Sequence, residues 1–295
     1  MTTPITAKAV AELRQRTGAG MMDCKKALEE TDGNMETAVE YLRKKGIAKA
    51  EKRADRSTSE GIIGGEVFAN GRSGALVEVA CETDFVARNE DFGAVVATLV
   101  AQRVSSAAPD VETFLAETLI GDSSQTVAEF VKVASSRTGE AVNVRRVARF
   151  DAGVNGLVGM YRHHNNKLAT LVQITASSPE VAHHESARQL VKFVAEHIAA
   201  SAPLAVDRAG VPAGKIESEK RIAEDQARQS GKPDAMIEKI INGKVEAFLK
   251  DVTLLPQAWV RDPSVTIAAL VKDHADRAGG TITVDCFVRL QLGAD

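Results

Sequence analysis

The sequence predicts an α+β fold: a three-helix bundle at the N-terminus, followed by two related subdomains that each combine antiparallel sheet and helices. Three short helical patterns fill the first 46 residues. The rest of the chain repeats itself, and in each repeat a strand, a tight turn and a second strand precede the helices. Strands that precede helices, instead of alternating with them, are typical of an antiparallel α+β layer and not of a doubly wound parallel sheet.

Length, composition and charge exclude several classes of protein. The 295 residues, 44% of them apolar, suffice for one to three globular units. A net charge of −3 and an aromatic content of 4% do not favour a general nucleic-acid binder or a base-stacking surface. Three widely spaced cysteines, Cys24, Cys81 and Cys286, favour a reducing cytoplasm over a disulfide framework or a zinc ribbon. No run of about 18 apolar residues occurs, so we expect neither a membrane span nor a signal peptide.

Three helices are expected in the N-terminal bundle. The first begins after Thr6, whose hydroxyl is a good N-cap, and ends at Gly18. The second extends from about Met22 to Glu30 and ends at an Asp-Gly turn. The third contains "METAVEYLRKKG", with apolar residues at helical spacing, and is expected to stop at Gly46.

A basic segment follows, from Leu42 to Arg56. Seven of its residues are basic and two are acidic. We interpret it as a solvated helical linker that acts as a hinge between folding units; an RNA-binding arm is the alternative, although it would lack aromatic neighbours. The bundle and this linker form the first predicted domain, residues 1–55.

An internal repeat organises the remaining chain. The forty residues from Gly61 align without a gap with those from Gly156, and nine of them are identical, where chance would give roughly two or three. The 25 residues from Thr126 align in the same way with those from Thr266, with eight identities. The offset rises from 95 to 140, so the second copy has 45 additional residues between its two matched halves. The predicted domains are therefore 56–150 and 151–295.

Each copy is predicted to contain strand, turn, strand, helices and a closing strand. In the first copy Val67 and Phe68 lead into the turn "ANGRSG". The next strand, "ALVEVAC", alternates in the manner of a half-buried strand, and "VNVRRVARF" closes the copy. The additional residues of the second copy, at about 205–252, include two helical patterns around "SGKP", from Lys215 to Val252. They are predicted to form an inserted helical hairpin.

The two copies differ where the second strand ends. "ETDFVA" aligns with "SSPEVA", so Val86 and Ala87 are shared whereas the residues before them are not. Thr83, Asp84 and Phe85 are replaced by Ser178, Pro179 and Glu180. Because the fold tolerates this turn without a phenylalanine, Phe85 is a candidate exposed wedge; the alternative is that it covers its own core. Thr83 or Asp84 could equally serve as a helix N-cap.

Several motifs together resemble one known family. They are "LRQRTGAGMMDCKKAL" near the N-terminus, "TDFV" after a strand, "GEAVNVRRV" at the end of the first copy, and the duplicated core. In these motifs, and over nearly its whole length, the chain resembles bacterial translation elongation factor Ts. The resemblance implies a guanine-nucleotide exchange factor for elongation factor Tu, the GTPase that delivers aminoacyl-tRNA to the ribosome. It also implies a ubiquitin-associated-like N-terminal bundle and a coiled-coil hairpin, which is associated with dimerisation in some members.

The resemblance implies a set of partner-binding residues. Asp84 and Phe85, within the motif Thr83, Asp84, Phe85 and Val86, would enter the partner beside its Mg²⁺ site and disturb both the ion and the phosphate-binding loop. Four residues match the N-terminal contact motif: Arg14, Met21, Met22 and Lys25. Adjacent methionines suit an adaptable contact, and core filling is the alternative for them.

Two further residues, Tyr161 and His163, match a motif that the family presents to a β-barrel domain of the partner. The chain departs from the family nearby, with "HNNKLA" where a glycine-containing turn is usual. It also ends at "RLQLGAD", where many members continue into a helix that contacts the partner. The resemblance implies that this contact is missing here or supplied otherwise.

Enzyme chemistry is not expected. The pairs His163-His164 and His183-His184 could suggest a metal, but strand neighbours point to opposite faces and no cysteine stands at ligand spacing. The sequence contains no dinucleotide fingerprint, Walker A motif or nucleophile motif. We therefore predict no catalytic residues, no metal, no cofactor, no direct nucleic-acid binding and no membrane contact. Two rival hypotheses are a passive binding module and a cysteine-dependent redox enzyme, and the second lacks a CxxC motif.

Overall fold

The computed structural model describes residues 5–68, 70–229 and 233–294. Across these ranges the fold combines helices with antiparallel sheet, an α+β architecture as predicted. None of the helices in the described ranges combines the length and the apolar character that crossing a bilayer requires.

Three helices form the N-terminal bundle: α1 (Ala7–Thr17), α2 (Met21–Glu30) and α3 (Met35–Glu51). The hydroxyl of Thr6 accepts a hydrogen bond from the backbone of Ala9 and so begins α1. Gly18 ends this helix in the left-handed conformation, with a φ of 69°. Between the helices lies a small apolar core, which contains Val10, Leu13, Cys24, Ala27, Leu28, Ala38 and Leu42.

The expectation that the third helix ends at Gly46 is wrong, because α3 continues through this glycine to Glu51. Gly46 lies against α7 (Val127–Thr138), where a Cβ atom would come within 2.8 Å of the Ser136 hydroxyl oxygen. Glycine is therefore explained here by close helix packing, not by helix termination.

The C-terminal end of the basic segment is held against α7. These contacts do not favour the interpretation of the segment as a free hinge. Lys132 of α7 forms an ion pair with Glu51 at 2.7 Å. The guanidinium of Arg53 donates to the carbonyl oxygen of Ser135 at 3.4 Å. Ala50, which precedes Glu51, is buried. The segment is thus mainly helical, as expected, and packed at its C-terminal end.

The first repeat contains a three-stranded sheet with the strand order β1-β2-β5. Its elements are β1 (Glu60–Val67), β2 (Ser73–Cys81), α4 (Asp84–Ala87), α5 (Glu90–Ser105), α6 (Val111–Ala116), β3 (Thr118–Leu119), β4 (Asp122–Thr126), α7 and β5 (Val142–Asp151). Strands β3 and β4 pair with each other in a small antiparallel hairpin.

Strand β2 is buried along nearly its whole length, so the prediction of a half-buried strand is wrong. Val77, Val79 and Cys81 belong to the apolar core. Glu78, the polar residue of the alternating pattern, is only 4% exposed and forms an ion pair with Arg146 at 2.5 Å. A buried charge needs such a partner, and the partner lies 68 positions along the chain, where the local pattern cannot indicate it.

The second repeat has the same strand order, with β7 between β6 and β10. Its elements are β6 (Gly156–Arg162), β7 (Leu168–Ala176), α8 (Pro179–His183), α9 (Glu185–Ser201), α10 (Ala213–Gln229), α11 (Asp234–Val252), β8 (Ala258–Trp259), β9 (Asp262–Thr266), α12 (Ile267–Ala278) and β10 (Ile282–Gln291). Strands β6 and β7 pair antiparallel, with Gly159 opposite Val172.

The repeat found in the sequence recurs in the order and bounds of the elements. Strand β7 begins and ends 95 positions after β2. Strands β8, β9 and β10 and helix α12 begin and end 140 positions after β3, β4, β5 and α7. A glycine and a valine that are identical in the two copies lie close together in each of them. In the first copy a Cβ on Gly64 would lie 2.4 Å from the side chain of Val96. In the second copy a Cβ on Gly159 would lie 2.5 Å from the side chain of Val191.

The two helices of the predicted hairpin are present as α10 and α11. They pack on each other, with Ala223 and Ala227 buried and the side chain of Lys244 hydrogen-bonded to that of Gln226. Part of the predicted "SGKP" turn, residues 230–232, lies outside the described residues. At the other end, Val245 and Leu249 share an apolar cluster with residues that precede α10.

The chain divides into two compact units. Unit 1 contains the residues up to Gly64, Val77–Val147 and the residues from Gln291 onwards, whereas unit 2 contains Gly65–Leu76 and Ala148–Leu290. The domain boundaries predicted at residues 55 and 150 stay predictions.

Candidate partner-binding surface

The short helix α4 carries the residues that the TDFV motif singles out. Phe85 is 83% exposed, although phenylalanine is an apolar residue that is usually buried. The next residue, Val86, packs instead against the core of unit 1. The alternative hypothesis, that Phe85 covers its own core, is therefore wrong. The side chain is free to contact another molecule.

Thr83 is the N-cap of α4, which decides between the two candidates for that role. Its hydroxyl oxygen accepts a hydrogen bond from the backbone N–H of Val86 at 3.4 Å. Asp84 is the first residue of the helix, and its carboxylate forms an ion pair with Arg88 at 2.9 Å. This pair is exposed, so we expect it to contribute little to stability.

The turn before α4 is held by Glu140, which follows α7. One carboxylate oxygen of Glu140 accepts from the backbone N–H groups of Glu82 and Thr83, both at 3.0 Å. The other accepts from the Thr83 hydroxyl at 2.6 Å. Hydrogen bonds to a carboxylate are among the stronger ones in proteins. The turn is therefore firmly anchored at two successive residues, Glu82 and Thr83.

Glu82 makes a similar contact with Ala141, the residue directly before β5. Its carboxylate accepts from the backbone N–H of Ala141 at 2.6 Å and pairs with Arg56 at 3.2 Å. The hydrogen bond from Ala141, assisted by Arg56, holds the pKa of Glu82 below its usual range. Burial raises the pKa of the neighbouring thiol, Cys81, to about 12. This thiol donates to the carbonyl oxygen of Thr83 and has a structural contact, without a sign of reactivity.

A second group of exposed residues lies on the N-terminal bundle. Met21 and Met22 are 54% and 77% exposed, and Arg14 and Lys25 are also exposed. The methionines are the first two residues of α2, which agrees with the predicted start of this helix at about Met22. Cys24 and Leu28 fill the core of the bundle. The core-filling alternative for the methionines is therefore wrong, and the bundle presents a flexible apolar contact beside basic side chains.

The C-terminal end of α7 supports both groups in unit 1. The guanidinium of Arg137 donates to the carbonyl oxygen of Thr17 at 3.0 Å, at the end of α1. Its side chain also packs beneath Gly18, where an added Cβ would lie 3.3 Å from it. Three residues later Glu140 holds the turn before Phe85. The two predicted contact regions of unit 1 thus share one structural anchor.

Tyr161 and His163 lie in unit 2, at the end of β6 and in the following turn. Their ring centroids are 6.3 Å apart. The backbone N–H of Asn166 donates to the carbonyl oxygen of His163 at 2.9 Å and so closes the turn. Asn166 has a φ of 58°, the left-handed conformation that glycine favours and asparagine tolerates. The altered turn therefore keeps a glycine-like backbone without a glycine.

The histidine pairs show no metal site. His163 and His164 lie in the turn, with ring centroids 4.1 Å apart, so the argument that places them on opposite faces of a strand is wrong. Among the described residues, however, no group of three or more His, Cys, Asp or Glu side chains could hold a metal ion. His184, of the other pair, caps α9 by accepting from the backbone of Ser186.

The motifs do not single out Glu82 and Glu140 as functional residues, although the alignment of the two copies contains a signal for both. At the aligned positions the second copy has Ser177 and Gly280. A pair of acidic residues restricted to the copy that carries Phe85 could have been noticed from the alignment. That they contact one turn required the structure, since they are 58 positions apart.

Comparisons with known proteins agree with these features. Residues 82–294 match the family model described as "Elongation factor TS". The elongation factor Ts of Chloroherpeton thalassium is 45% identical over 296 residues, with 98% of each chain covered. The proteins of the same name from Trichlorobacter lovleyi and Lawsonia intracellularis are 42% and 40% identical, over 98% and 99% of this chain and 93% and 99% of their own lengths.

These likenesses define the class of protein as a translation elongation factor that acts in protein biosynthesis. More particularly, the chain belongs to the elongation factor Ts family.

Proposed function

We propose that this chain is a guanine-nucleotide exchange factor for elongation factor Tu, acting in the cytoplasm. Nucleotide exchange on elongation factor Tu is the known role of the family to which the chain belongs. In this proposal the chain is not an enzyme and holds no cofactor or metal of its own. It changes the rate at which its partner releases GDP.

The exposure of Phe85 is the observation that carries the proposed mechanism. An apolar ring that is 83% exposed on a firmly held turn is suited to enter a pocket of another protein. We place Asp84 and Phe85 beside the Mg²⁺ site of the partner, with Thr83 and Val86 fixing the helix that presents them. Insertion of the ring disturbs the Mg²⁺ ion and the phosphate-binding loop, and GDP is then poorly held.

The remaining exposed residues supply the other contacts in this proposal. Arg14, Met21, Met22 and Lys25, together with the first repeat, bind the GTP-binding domain of elongation factor Tu. Tyr161 and His163 bind a β-barrel domain of the same partner. The hairpin of α10 and α11 is available for a homodimer of the complex. The protein has no direct contact with nucleic acid or a membrane in this scheme, and its domains are 1–55, 56–150 and 151–295.

The mechanism follows from the linkage between two ligands on one partner. If this chain weakens the grip of its partner on GDP, then GDP weakens the grip on this chain by the same factor. Incoming nucleotide can therefore eject the factor after exchange. Each tenfold gain in the release rate requires about 1.4 kcal/mol of barrier lowering. One aromatic anchor supplies roughly 2 kcal/mol, so large accelerations need the rest of the interface as well.

The release of fluorescent GDP from elongation factor Tu tests the proposal. The rate is measured at fixed Mg²⁺ with increasing amounts of this protein, and binding is measured separately by calorimetry. We expect acceleration, and we expect Phe85→Ala to slow release more than it weakens complex formation. Binding without any change in the release rate would instead indicate a passive binding module and would overturn the exchange function.

A further inference from the structure

Two acidic side chains hold the turn before Phe85 against the residues that follow α7. Glu140 accepts three hydrogen bonds from the turn, two from backbone N–H groups and one from the Thr83 hydroxyl. Glu82, within the turn, accepts one from the backbone of Ala141. Each carboxylate thus binds the backbone beside the other, and we call this pair the carboxylate clamp.

The clamp is confined to the repeat that carries the exposed ring. At the aligned positions the second copy has Ser177 and Gly280, which cannot form it. There the backbone N–H of Thr281 donates to the Ser177 hydroxyl at 3.1 Å, and the N–H of Ser177 donates to the carbonyl oxygen of Thr281. The short helix that follows, α8, begins normally with Ser178 as its N-cap. The fold therefore forms this strand, turn and helix without the acidic pair.

The clamp acts at the place where the ring needs support. Helix α4 has only four residues, so its own hydrogen bonds are too few to hold it. Phe85 itself is mostly exposed and cannot anchor the helix by burial. The N-cap, Thr83, is held through both its N–H and its hydroxyl, and it directly precedes the two residues that are presented. A turn that is ordered before binding does not have to be ordered at the moment of binding, which favours insertion of the ring.

We propose that Glu140, with Glu82, is a positioning residue for nucleotide exchange: the carboxylate clamp holds α4 in the orientation in which Phe85 can enter the partner. This role rests on the proposed function, since it concerns the same wedge. The clamp makes no contact with nucleotide in this scheme and acts only through Thr83 and α4.

The test uses the full chain with substitutions taken from its own second copy. Glu82→Ser combined with Glu140→Gly introduces the residues that the second copy has at the aligned positions. Because the same fold already accommodates them there, the variant is expected to fold. Glu140→Gln is the conservative variant, because its amide keeps one acceptor oxygen. Asp110→Asn is the matched control: Asp110 is also an acidic residue of unit 1 that accepts from a backbone N–H, that of Thr113 at 2.8 Å, but at helix α6.

Release of fluorescent GDP from elongation factor Tu is measured against protein concentration, to separate the maximal rate from the half-saturating concentration. We expect the double variant to lower the maximal rate about tenfold, which corresponds to 1.4 kcal/mol, and to change the half-saturating concentration less. Glu140→Gln should lie between this variant and the wild type, and Asp110→Asn should match the wild type. Hydrogen exchange at the amides of Ala87 and Arg88, which close α4, should become faster only in the clamp variants.

The outcomes separate this inference from the function on which it rests. If the wild-type protein does not accelerate release, the exchange function fails and the role of the clamp fails with it. If the wild type accelerates release and the double variant reaches the same maximal rate, the inference alone is overturned. A raised half-saturating concentration with an unchanged maximal rate would also overturn it, because the clamp would then support binding in general and not insertion of the ring.

Discussion

His197 and Gln257 are hydrogen-bonded in the interior of unit 2, with 2.9 Å between the imidazole Nε2 and the amide oxygen. The other ring nitrogen, Nδ1, accepts from the backbone N–H of Val260 at 3.3 Å. Because an N–H group can only donate, Nδ1 carries no proton, and the imidazole is the neutral form protonated at Nε2.

The first repeat contains the same arrangement with a side chain that does not titrate near neutral pH. Gln102 stands at the position aligned with His197, and its oxygen accepts from the backbone N–H of Ile120 at 2.7 Å. Its amide nitrogen donates to Glu117 at 3.0 Å. A glutamine and a neutral histidine therefore serve the same purpose: Gln102 fixes the hairpin of β3 and β4 to α5, and His197 fixes the hairpin of β8 and β9 to α9.

This arrangement predicts that unit 2 loses stability as the pH falls below about 6.5, the usual pKa of histidine. Burial lowers the pKa of His197. Between the lowered pKa and the usual one, the unfolded chain binds a proton that the folded chain does not, so acidification favours unfolding. The stability present above pH 6.5 is lost with a slope of at most about 1.4 kcal/mol per pH unit for this group. Urea unfolding between pH 5 and 7.5 measures it.

The first repeat supplies the variant that checks this assignment. His197→Gln places in unit 2 the residue that unit 1 already uses, so we expect it to fold and to reduce the loss of stability below pH 6.5. His164→Gln, in an exposed turn, is the control for the removal of a histidine. Equal pH profiles for His197→Gln and the wild type would contradict the prediction.

Replacement by alanine should have a much smaller effect on stability at Phe85 than at Phe92. Phe85 is 83% exposed, so Phe85→Ala is expected to change the free energy of unfolding by no more than about 0.5 kcal/mol. Phe92 is 1% exposed in the core of unit 1, and Phe92→Ala should cost about 3–5 kcal/mol. Chemical denaturation of both variants checks this. A marked destabilisation by Phe85→Ala would mean that the ring is packed in solution.

Gly159 is expected to tolerate no side chain. A Cβ at this position would lie 2.5 Å from Cβ of Val191 and 2.6 Å from its carbonyl oxygen, so strand and helix would have to separate. Overpacking of this kind costs about 1–3 kcal/mol, and we expect Gly159→Ala to reach the upper end. Gly243, within α11, has open space around it, and Gly243→Ala should stabilise by about 0.5–1 kcal/mol. Thermal unfolding that ranks the two variants in the reverse order would refute this packing argument.

The cysteines should resist alkylation in the folded protein. Burial raises the pKa of Cys81 to about 12, and it also raises the pKa of Cys24 and Cys286. At pH 8 few of these thiols are ionised, and the thiolate is the reactive form. Mass spectrometry after iodoacetamide treatment should find Cys81 and Cys24, both fully buried, labelled only when denaturant is present. Rapid labelling of Cys81 without denaturant would reopen the redox hypothesis.

Local sequence predicted well the features that depend on neighbouring residues. Helix caps are one example: Thr6 and Gly18 bound the first helix as expected, because a cap acts on backbone groups only a few positions away. Local pattern failed where distant residues intervened. Gly46 was expected to end a helix, but packing against Ser136 keeps it inside one. The alternating pattern around Glu78 predicts a half-buried strand, but Arg146 pairs with this residue and the strand is buried.

The candidate site also combines a feature that the sequence predicts with features that only the structure decides. The aligned copies indicated from sequence that Phe85 is dispensable for the fold, and its exposure agrees with that reading. The exposure of Met21 and Met22 could not be decided from sequence, since methionines also fill cores. The sequence alone does not decide whether Thr83 or Asp84 caps α4, and the geometry assigns the cap to Thr83.

The sequence by itself determined the α+β class, the order of the main helices and sheet strands and the internal repeat, because periodicity, caps and turns act over a few residues and leave a local record. It did not predict the small hairpins β3–β4 and β8–β9. Only the tertiary structure decided which side chains meet. Arg137 reaches Thr17 across 120 positions, and Glu140 reaches Thr83 across 57. Such contacts depend on how helices and strands pack, and no short stretch of sequence contains both partners.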